Sequence, residues 1–381
     1  MNDRFQNLLL MVRCFFLLPF RGFAKTAPKE IKRILVMQNA KMGDMVCVTP
    51  IFRAIKKNLP NTKVIVLGNK INRELVQGNS DVDEYIVFER DPKQLIKIFK
   101  DNNIDVALLT TQDPLALSTL FLANVPMIVT PQVINTKAET ETFAYNLLSK
   151  LASNVTYVAE QYFPREFLKV LEPIGIVTDD TKKYLAYNDS AKAKVKKFFE
   201  DNNIKIGNDF VIGVSPSAGN KVKSWFPDRY AELIKYLIEK YGAKIIIVGA
   251  PPDKEIIAEM NKNLPASPNI IDTSSMFTIE ELKALVANLN LFISGDTGPI
   301  HIADAFDIPT VNILGPVGED EMPPRGEFHR NVIPPRKRAE LFIMTVRSYD
   351  PVEAKRQLDV TTVPLVIEVV DKLISDAGLG K

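Results

Sequence analysis

The 381-residue sequence has two cysteines, two histidines and almost no net charge. Cys14 and Cys47 lie far apart in apolar surroundings, which argues against a disulfide framework or a cysteine zinc site and makes a reducing cytoplasm the natural compartment. With only His301 and His329 present, two-His metal sites are poor candidates. The 48 basic and 46 acidic residues leave a formal charge of +2. Phosphate backbones demand a concentrated basic surplus, so nucleic acid is not an expected partner. No Gly-x-Gly-x-x-Gly follows the first strand, and no nucleophile elbow or Ser/His/Asp order appears, which weakens dehydrogenase and hydrolase readings.

Long hydrophobic runs are also missing. The most apolar stretch, Leu8 to Phe20, is interrupted by Arg13 and ended by Pro19, whereas a bilayer span takes about 20 apolar residues. A secretory signal would need an uninterrupted apolar centre and a small-residue cleavage site. What remains over residues 1–28 is an amphipathic segment, with Arg4, Arg13, Arg21 and Lys25 as cations and Phe5, Leu9, Phe16 and Phe20 among its apolar residues. That composition suits an interfacial anchor on an anionic membrane. A helix packed on the protein body, or on a second subunit, is the alternative.

What is there points to a folded α/β protein. Hydrophobic residues make up 46%, about a quarter of the chain is charged, and there are 17 glycines and 25 prolines. Disordered, collagen-like and polytopic membrane chains are thereby excluded, and the length suits two or three domains. From Lys32 onward short β-branched runs alternate with helical stretches, as in βα units with a parallel sheet. Strands are expected at Ile34 to Gln38, Lys63 to Leu67, Glu84 to Phe88 and Asp105 to Leu109. Helices are expected near Pro50 to Leu59, Ile71 to Gly78 and Pro92 to Asn102. The rhythm restarts with strands at Phe210 to Val214, Lys244 to Val248, Ile270 to Asp272, Leu291 to Ser294 and Thr310 to Leu314. Two Rossmann-like domains are the simplest account, over residues 29–185 and 190–350. Polar Val177 to Asp189 reads as the linker, residues 351–381 as a C-terminal helical segment, and the last helix, about Pro364 to Asp376, could pack on either half. The phrase Asp101-Asn102-Asn103-Ile104 recurs as Asp201-Asn202-Asn203-Ile204, which asparagine's tolerance of the left-handed conformation at helix ends explains without homology.

Ligands of open parallel sheets bind beyond the carboxyl ends of the strands, so the loops there carry the candidates. After the first strand, Lys41 and Gly43 lead to Asp44 at a helix start. That carboxylate could serve as a general base or simply interact with the helix dipole. The loop from Ser215 to Trp225 has small residues with Lys221 and Lys223, suiting an anion, though it lacks the Gly-Lys-Ser/Thr of a phosphate loop. Asp253 and Glu255 could accept from ribose hydroxyls or cap a surface helix. The sharpest signal is Gly295-Asp296-Thr297-Gly298-Pro299-Ile300-His301: a glycine-bracketed turn with proline at the first helical position aims backbone N–H groups at an anion, with His301 facing the same place.

In this order, three of these segments resemble glycosyltransferase family 9, the lipopolysaccharide heptosyltransferases. They are Arg33-Ile34-Leu35-Val36 leading to Met42-Gly43-Asp44 and Thr49-Pro50, Lys223 to Leu233, and Gly295 to Ala303, with Ile313-Leu314-Gly315-Pro316 closing the pattern. The resemblance runs from about Ile31 onward and leaves the N-terminal apolar segment outside it. It implies a GT-B fold, two Rossmann-like domains facing a central cleft, and an inverting, metal-independent transfer of a sugar, usually heptose, from a nucleotide diphosphate to a lipopolysaccharide core hydroxyl. Asp44 matches the family's proposed general base, with Lys41 and Gly43 on the acceptor side. Lys223 matches the diphosphate ligand. Asp296, Thr297, Gly298 and His301 match the loop that holds phosphates and donor sugar. Met276 and Phe277 fall where the family contacts the base, although core packing would explain both. The resemblance implies no cofactor; the nucleotide sugar, ADP-heptose foremost, is a substrate. The acceptor would be an anionic, lipid-linked saccharide, met by a peripheral enzyme on the cytoplasmic face of the membrane. Transfer from another nucleotide sugar to O-antigen or surface polysaccharide, a nucleotide-sugar epimerase or hydrolase, and a silent binding module are the alternatives.

Overall fold

The computed structural model describes residues 3–136, 141–342 and 349–380. The chain divides into two compact units that meet in sequence at Lys182 and Lys183, inside the expected linker. The first unit contains α1 (Asp3–Arg21), β1 (Arg33–Gln38), α2 (Met42–Asn58), β2 (Lys63–Gly68), α3 (Lys70–Val76), β3 (Glu84–Val87) and α4 (Pro92–Asp101). It continues with β4 (Val106–Leu109), α5 (Pro114–Leu122), β5 (Met127–Ile134), α6 (Phe143–Leu148), β6 (Ser153–Val158) and α7 (Phe163–Leu168). The second contains α8 (Asp189–Asp201), β7 (Val211–Ser215), α9 (Pro227–Tyr241), β8 (Lys244–Ile247), α10 (Lys254–Lys262), β9 (Ile270–Asp272) and α11 (Ile279–Val286). It closes with β10 (Leu291–Gly295), α12 (Gly298–Ala305), β11 (Thr310–Ile313), β12 (His329–Val332), α13 (Pro351–Asp359) and α14 (Val363–Asp376).

Among the described residues each unit holds one six-stranded parallel sheet. The orders are β3-β2-β1-β4-β5-β6 and β12-β11-β10-β7-β8-β9. Central strands β4, β7 and β10 are buried throughout, as strands covered by helices on both faces must be. In both units the first strand lies beside the fourth, paired as Val36 with Leu108 and as Val214 with Ile293.

Most expected elements form near their expected bounds, and the departures have identifiable causes. Helix α2 starts at Met42, two turns before the expected start, and keeps Pro50 inside it. Proline cannot donate to the carbonyl four residues back, and the Thr49 hydroxyl donates to that Val46 carbonyl instead, at 2.8 Å. Strand β5 contains Pro131, which masks it, and β12 reads His-Arg-Asn-Val, with no apolar run. Asn103 and Asn203 adopt φ of 45° and 52°, as their recurrence after the two helices required.

Residues 3–28 are not a detached appendage. Leu10, Met11 and Cys14 of α1 enter the first unit's core beside Leu117, Leu120 and Tyr145. The Cys14 thiol donates to the Ser118 carbonyl, and burial pushes its pKa up to about 12. Arg21 donates to the Val125 carbonyl at 2.6 Å with its guanidinium 3.9 Å from the Phe121 ring centroid. At the other end, α14 packs Val366, Val370 and Leu373 into the second unit's core, which settles which half it joins.

Candidate active site

In each sheet the chain winds outward in one direction and then the other, and the order reverses between the first and fourth strands. Such switch points open crevices at the carboxyl edge of a parallel sheet. The first unit's switch point lies between β1 and β4, the second's between β7 and β10. The loops that the sequence singled out most strongly follow β1, β7 and β10.

In the second unit, Lys223 leaves a short turn after β7 and its Nζ lies 2.7 Å from Asp296 Oδ2 beyond β10. Sequence placed both residues at the phosphate site; the fold pairs them across 73 positions. The Asp296 side chain is 7% exposed and that of Lys223 is 22%. Thr297 stands at the N-cap of α12 in an extended conformation and makes no side-chain cap, while Pro299 occupies the first turn. The helix thus directs backbone N–H groups and its positive dipole end to the switch point.

His301 lies one turn into α12 and is buried, with 3% exposure. Burial, reinforced by the Lys183 ammonium, lowers its pKa from 6.5 to about 4, so near neutral pH it interacts through hydrogen bonds rather than charge. Residues that the sequence reading passed over hold this helix and loop. The Lys183 ammonium is buried in an ion pair with Asp304 of α12. His329 lies 3.5 Å from Asp304 and 2.9 Å from the Thr310 hydroxyl. The buried Tyr230 phenol is hydrogen-bonded to the backbone of Gly295.

The Lys223 to Leu233 segment has a second structural task. Trp225 is buried and donates from Nε1 to the Thr361 carbonyl at 2.7 Å. Arg229 donates to the carbonyls of Leu358, Asp359 and Thr361, satisfying the end of α13, where helix carbonyls lack intrahelical partners.

The nucleoside candidates separate. Asp253 accepts from the Ala250 N–H at 2.7 Å, realising the capping alternative, and Glu255 is exposed in the first turn of α10. The Gly249 carbonyl accepts from Ser275 N–H at 2.9 Å, tying the loops after β8 and β9 together. Met276 there is 53% exposed. Phe277 packs edge-on against Phe198, with centroids 5.2 Å apart, and has Lys194 Nζ 5.7 Å from its ring. Phe277 thus makes the ring contacts that the packing alternative describes.

In the first unit, Asp44 is the third residue of α2 and its Oδ2 accepts from Lys41 N–H at 3.1 Å. The carboxylate is half-buried, Lys41 exposed and Gly43 buried. This contact is the local interaction with the helix start that the sequence offered as the alternative, and it also fixes where the carboxylate points. Around it lies a cluster of amide side chains, bonded to backbone groups, that spacing did not reveal. Asn69 donates to the Ala40 carbonyl at 2.7 Å and Asn72 to the same oxygen at 3.0 Å. Asn39 donates to Asp113, which lies 3.6 Å from Arg90. An open depression of about 580 Å³ is lined by Asn39, Lys41, Asn69 and Asn72 among others. Gln38 Nε2 and Asn72 Oδ1 are buried without hydrogen-bond partners. Among the described residues, no cluster of three or more His, Cys, Asp and Glu side chains is disposed to hold a metal ion.

The family model for glycosyltransferase family 9 (heptosyltransferase) matches residues 134–344. Lipopolysaccharide heptosyltransferase 3 of Escherichia coli K12 is 23% identical over 286 residues, covering 72% of this chain and 79% of that protein. Lipooligosaccharide heptosyltransferase 2 of Haemophilus influenzae is 23% identical over 301 residues, covering 76% and 85%. The solved E. coli ADP-heptose lipopolysaccharide heptosyltransferase II superposes with a TM-score of 0.68 at 18% identity, covering 88% of this chain and 99% of that one. E. coli heptosyltransferase WaaC with ADP-2-deoxy-2-fluoro heptose gives 0.63 at 15% identity, covering 89% and 99%. The chain belongs to glycosyltransferase family 9. It is a glycosyltransferase built from two Rossmann-like units of the GT-B class.

Proposed function

We propose that this enzyme transfers heptose from ADP-heptose to a hydroxyl of a lipopolysaccharide core saccharide, inverting the anomeric centre and using no metal ion. The observation that carries the reading is the second switch point, where Lys223, ion-paired with Asp296, stands beside the start of α12, which has no side-chain cap. A diphosphate leaving group gains charge as its bond to the sugar breaks, and a lysine with helix N–H groups stabilises that charge where it develops. The names of the relatives supply the sugar and acceptor class, and the ADP-heptose analogue bound to a structural neighbour supplies the base.

In the proposed step the acceptor hydroxyl oxygen attacks the anomeric carbon and its proton passes to the Asp44 carboxylate. The bond from the anomeric carbon to the diphosphate oxygen breaks, and ADP leaves. The depression beside Asp44 is the proposed seat of the acceptor, with Lys41 exposed at its edge to meet an anionic saccharide. Met276, exposed in the loop after β9, is the residue proposed to meet the nucleoside. Such an acceptor is lipid-linked, and in this proposal the enzyme meets it at the cytoplasmic face of a membrane.

The test incubates the purified protein with ADP-heptose and a core saccharide and assigns the anomeric configuration of the product by NMR. An inverted glycosidic bond formed equally well in EDTA is expected. Asp44→Asn should bind ADP normally and lower turnover about a hundredfold or more, the scale of a lost general base. An unchanged rate removes Asp44 from the mechanism. In a melting series against ADP, UDP, GDP, dTDP and CMP, selective stabilisation by ADP is expected, since a ligand that binds only the folded state raises its melting temperature. Selective stabilisation by another nucleotide overturns the donor assignment.

A further inference from the structure

Helix α1 has a second apolar face that the first unit leaves uncovered. Its inward side is the Leu10, Met11 and Cys14 face already described. On the other side Phe5, Leu8, Leu9, Val12, Phe16 and Phe20 are 46% to 82% exposed. Phe23, just beyond the helix, is 57% exposed. These positions recur every three or four residues and so form a single stripe, about 22 Å long from Phe5 to Phe20 at 1.5 Å per residue. Scattered exposed apolar residues need no explanation, but a contiguous stripe marks a contact surface.

Charge identifies the contact. From Phe5 to Lys29 the sequence contains no Asp or Glu, and its charged residues are Arg13, Arg21, Lys25 and Lys29. Arg21 is turned inward onto Val125 and Phe121, whereas Arg13, Lys25 and Lys29 are exposed. We propose that the stripe seats on an anionic lipid surface, with its rings at the acyl boundary and Arg13, Lys25 and Lys29 against lipid phosphates, as interfacial helices do. A second copy of this chain is a poorer occupant. Arg13 sits at the middle of the stripe, and a two-fold contact would set it against its own copy. Spanning is not an option for α1, since no described helix is long and apolar enough to cross a membrane. Because the inward face is locked into the core, the bound helix would hold the whole first unit in one orientation on the bilayer.

Co-sedimentation of the full chain with phosphatidylcholine vesicles, with and without phosphatidylglycerol, tests this without any donor or acceptor, so its outcome is independent of the transferase reading. Binding is expected to the anionic vesicles, weakening as salt is raised. The double variant Phe16→Ser/Phe20→Ser removes two exposed rings, and its partition should fall about tenfold or more. Arg13→Glu should weaken binding to anionic vesicles and leave the neutral ones unchanged. An unaltered circular dichroism spectrum and an unaltered melting temperature in the absence of vesicles establish that the variants remain folded. Wild-type protein staying in the supernatant, or a double variant that sediments like wild type, overturns the proposal. A double variant that instead turns a dimer into a monomer on gel filtration, with vesicle binding unchanged, assigns the stripe to a second copy.

Discussion

Removing Lys223 should weaken ADP binding by more than one lost contact, and removing Asp296 as well should restore part of the loss. The lysine's hydrogen bond to a phosphate oxygen contributes about 1.5–3 kcal/mol, a charge-assisted contact. That alone is a roughly 10- to 150-fold loss. Asp296 is 7% exposed and has Lys223 Nζ 2.7 Å away, so Lys223→Ala also leaves a nearly buried carboxylate facing the diphosphate without its neutralising neighbour. Two like charges about 5 Å apart repel by about 3 kcal/mol at an effective dielectric of 20, so Lys223→Ala should lose affinity by about 150-fold or more. Asp296→Asn alone frees the lysine from its competitor and should bind ADP at least as tightly as wild type. Lys223→Ala/Asp296→Asn should recover to within about tenfold of wild type, a coupling of about 1.5 kcal/mol or more in a double-mutant cycle. Titration calorimetry with ADP at fixed ionic strength measures all four proteins. A double variant that binds as poorly as Lys223→Ala would refute the reasoning and make Asp296 a direct ligand of the donor.

Two further outcomes follow from the burial of groups around the same loop. Because burial lowers the His301 pKa to about 4, the unfolded chain takes up its proton near 6.5 and the folded chain does not until about 4. The stabilisation is therefore complete above 6.5 and drains as pH falls through that window, at about 1.4 kcal/mol per pH unit and about 3 kcal/mol in all. Urea unfolding at pH 7, 6 and 5 should give a slope that His301→Gln makes shallower by about that amount per unit; His329, shifted down by burial too, contributes its own slope in both proteins, and identical slopes would contradict the assignment. Tyr230→Phe keeps the packed ring and removes the hydroxyl bonded to Gly295. It should cost about 1 kcal/mol of stability and a few-fold in ADP affinity, and unchanged affinity in calorimetry would confine Tyr230 to packing.

The elements legible in the sequence were those whose local pattern matched their final surroundings. Strands β1, β7 and β10 are short buried apolar runs followed by glycine or small polar residues, and the binding loops follow them by the geometry of parallel sheets. Strand β5 was hidden by Pro131 and β12 by its polar composition. Pro50 looked like a helix start, because nothing local announced that Thr49 would take over the abandoned carbonyl. At the candidate site, loop position drew attention to Asp44, Lys221, Lys223 and the Gly295 to His301 loop, the family resemblance singled out Lys223, and neither supplied their neighbours. Asn39 and Asp113 are 74 positions apart, and only the placement of β4 beside β1 joins them. The same holds for Lys183 and Asp304, 121 positions apart. A search extended to the loops after β2 and β4 would have reached Asn69 and Asp113.

The reversal of strand order has a consequence for how the protein acquires its activity during synthesis. Lys223 emerges with the strand that starts the second sheet, yet its partner Asp296 arrives only after two crossovers have been laid on one side and the chain has returned to the other. Long-range closure of this kind is the slow part of assembling a parallel sheet. No nascent fragment ending before α12 can form the anion site, however well its first βα units have settled. Under the proposed donor assignment ADP binding would be a clock for the last central strand, and in refolding experiments it should lag the recovery of helical signal.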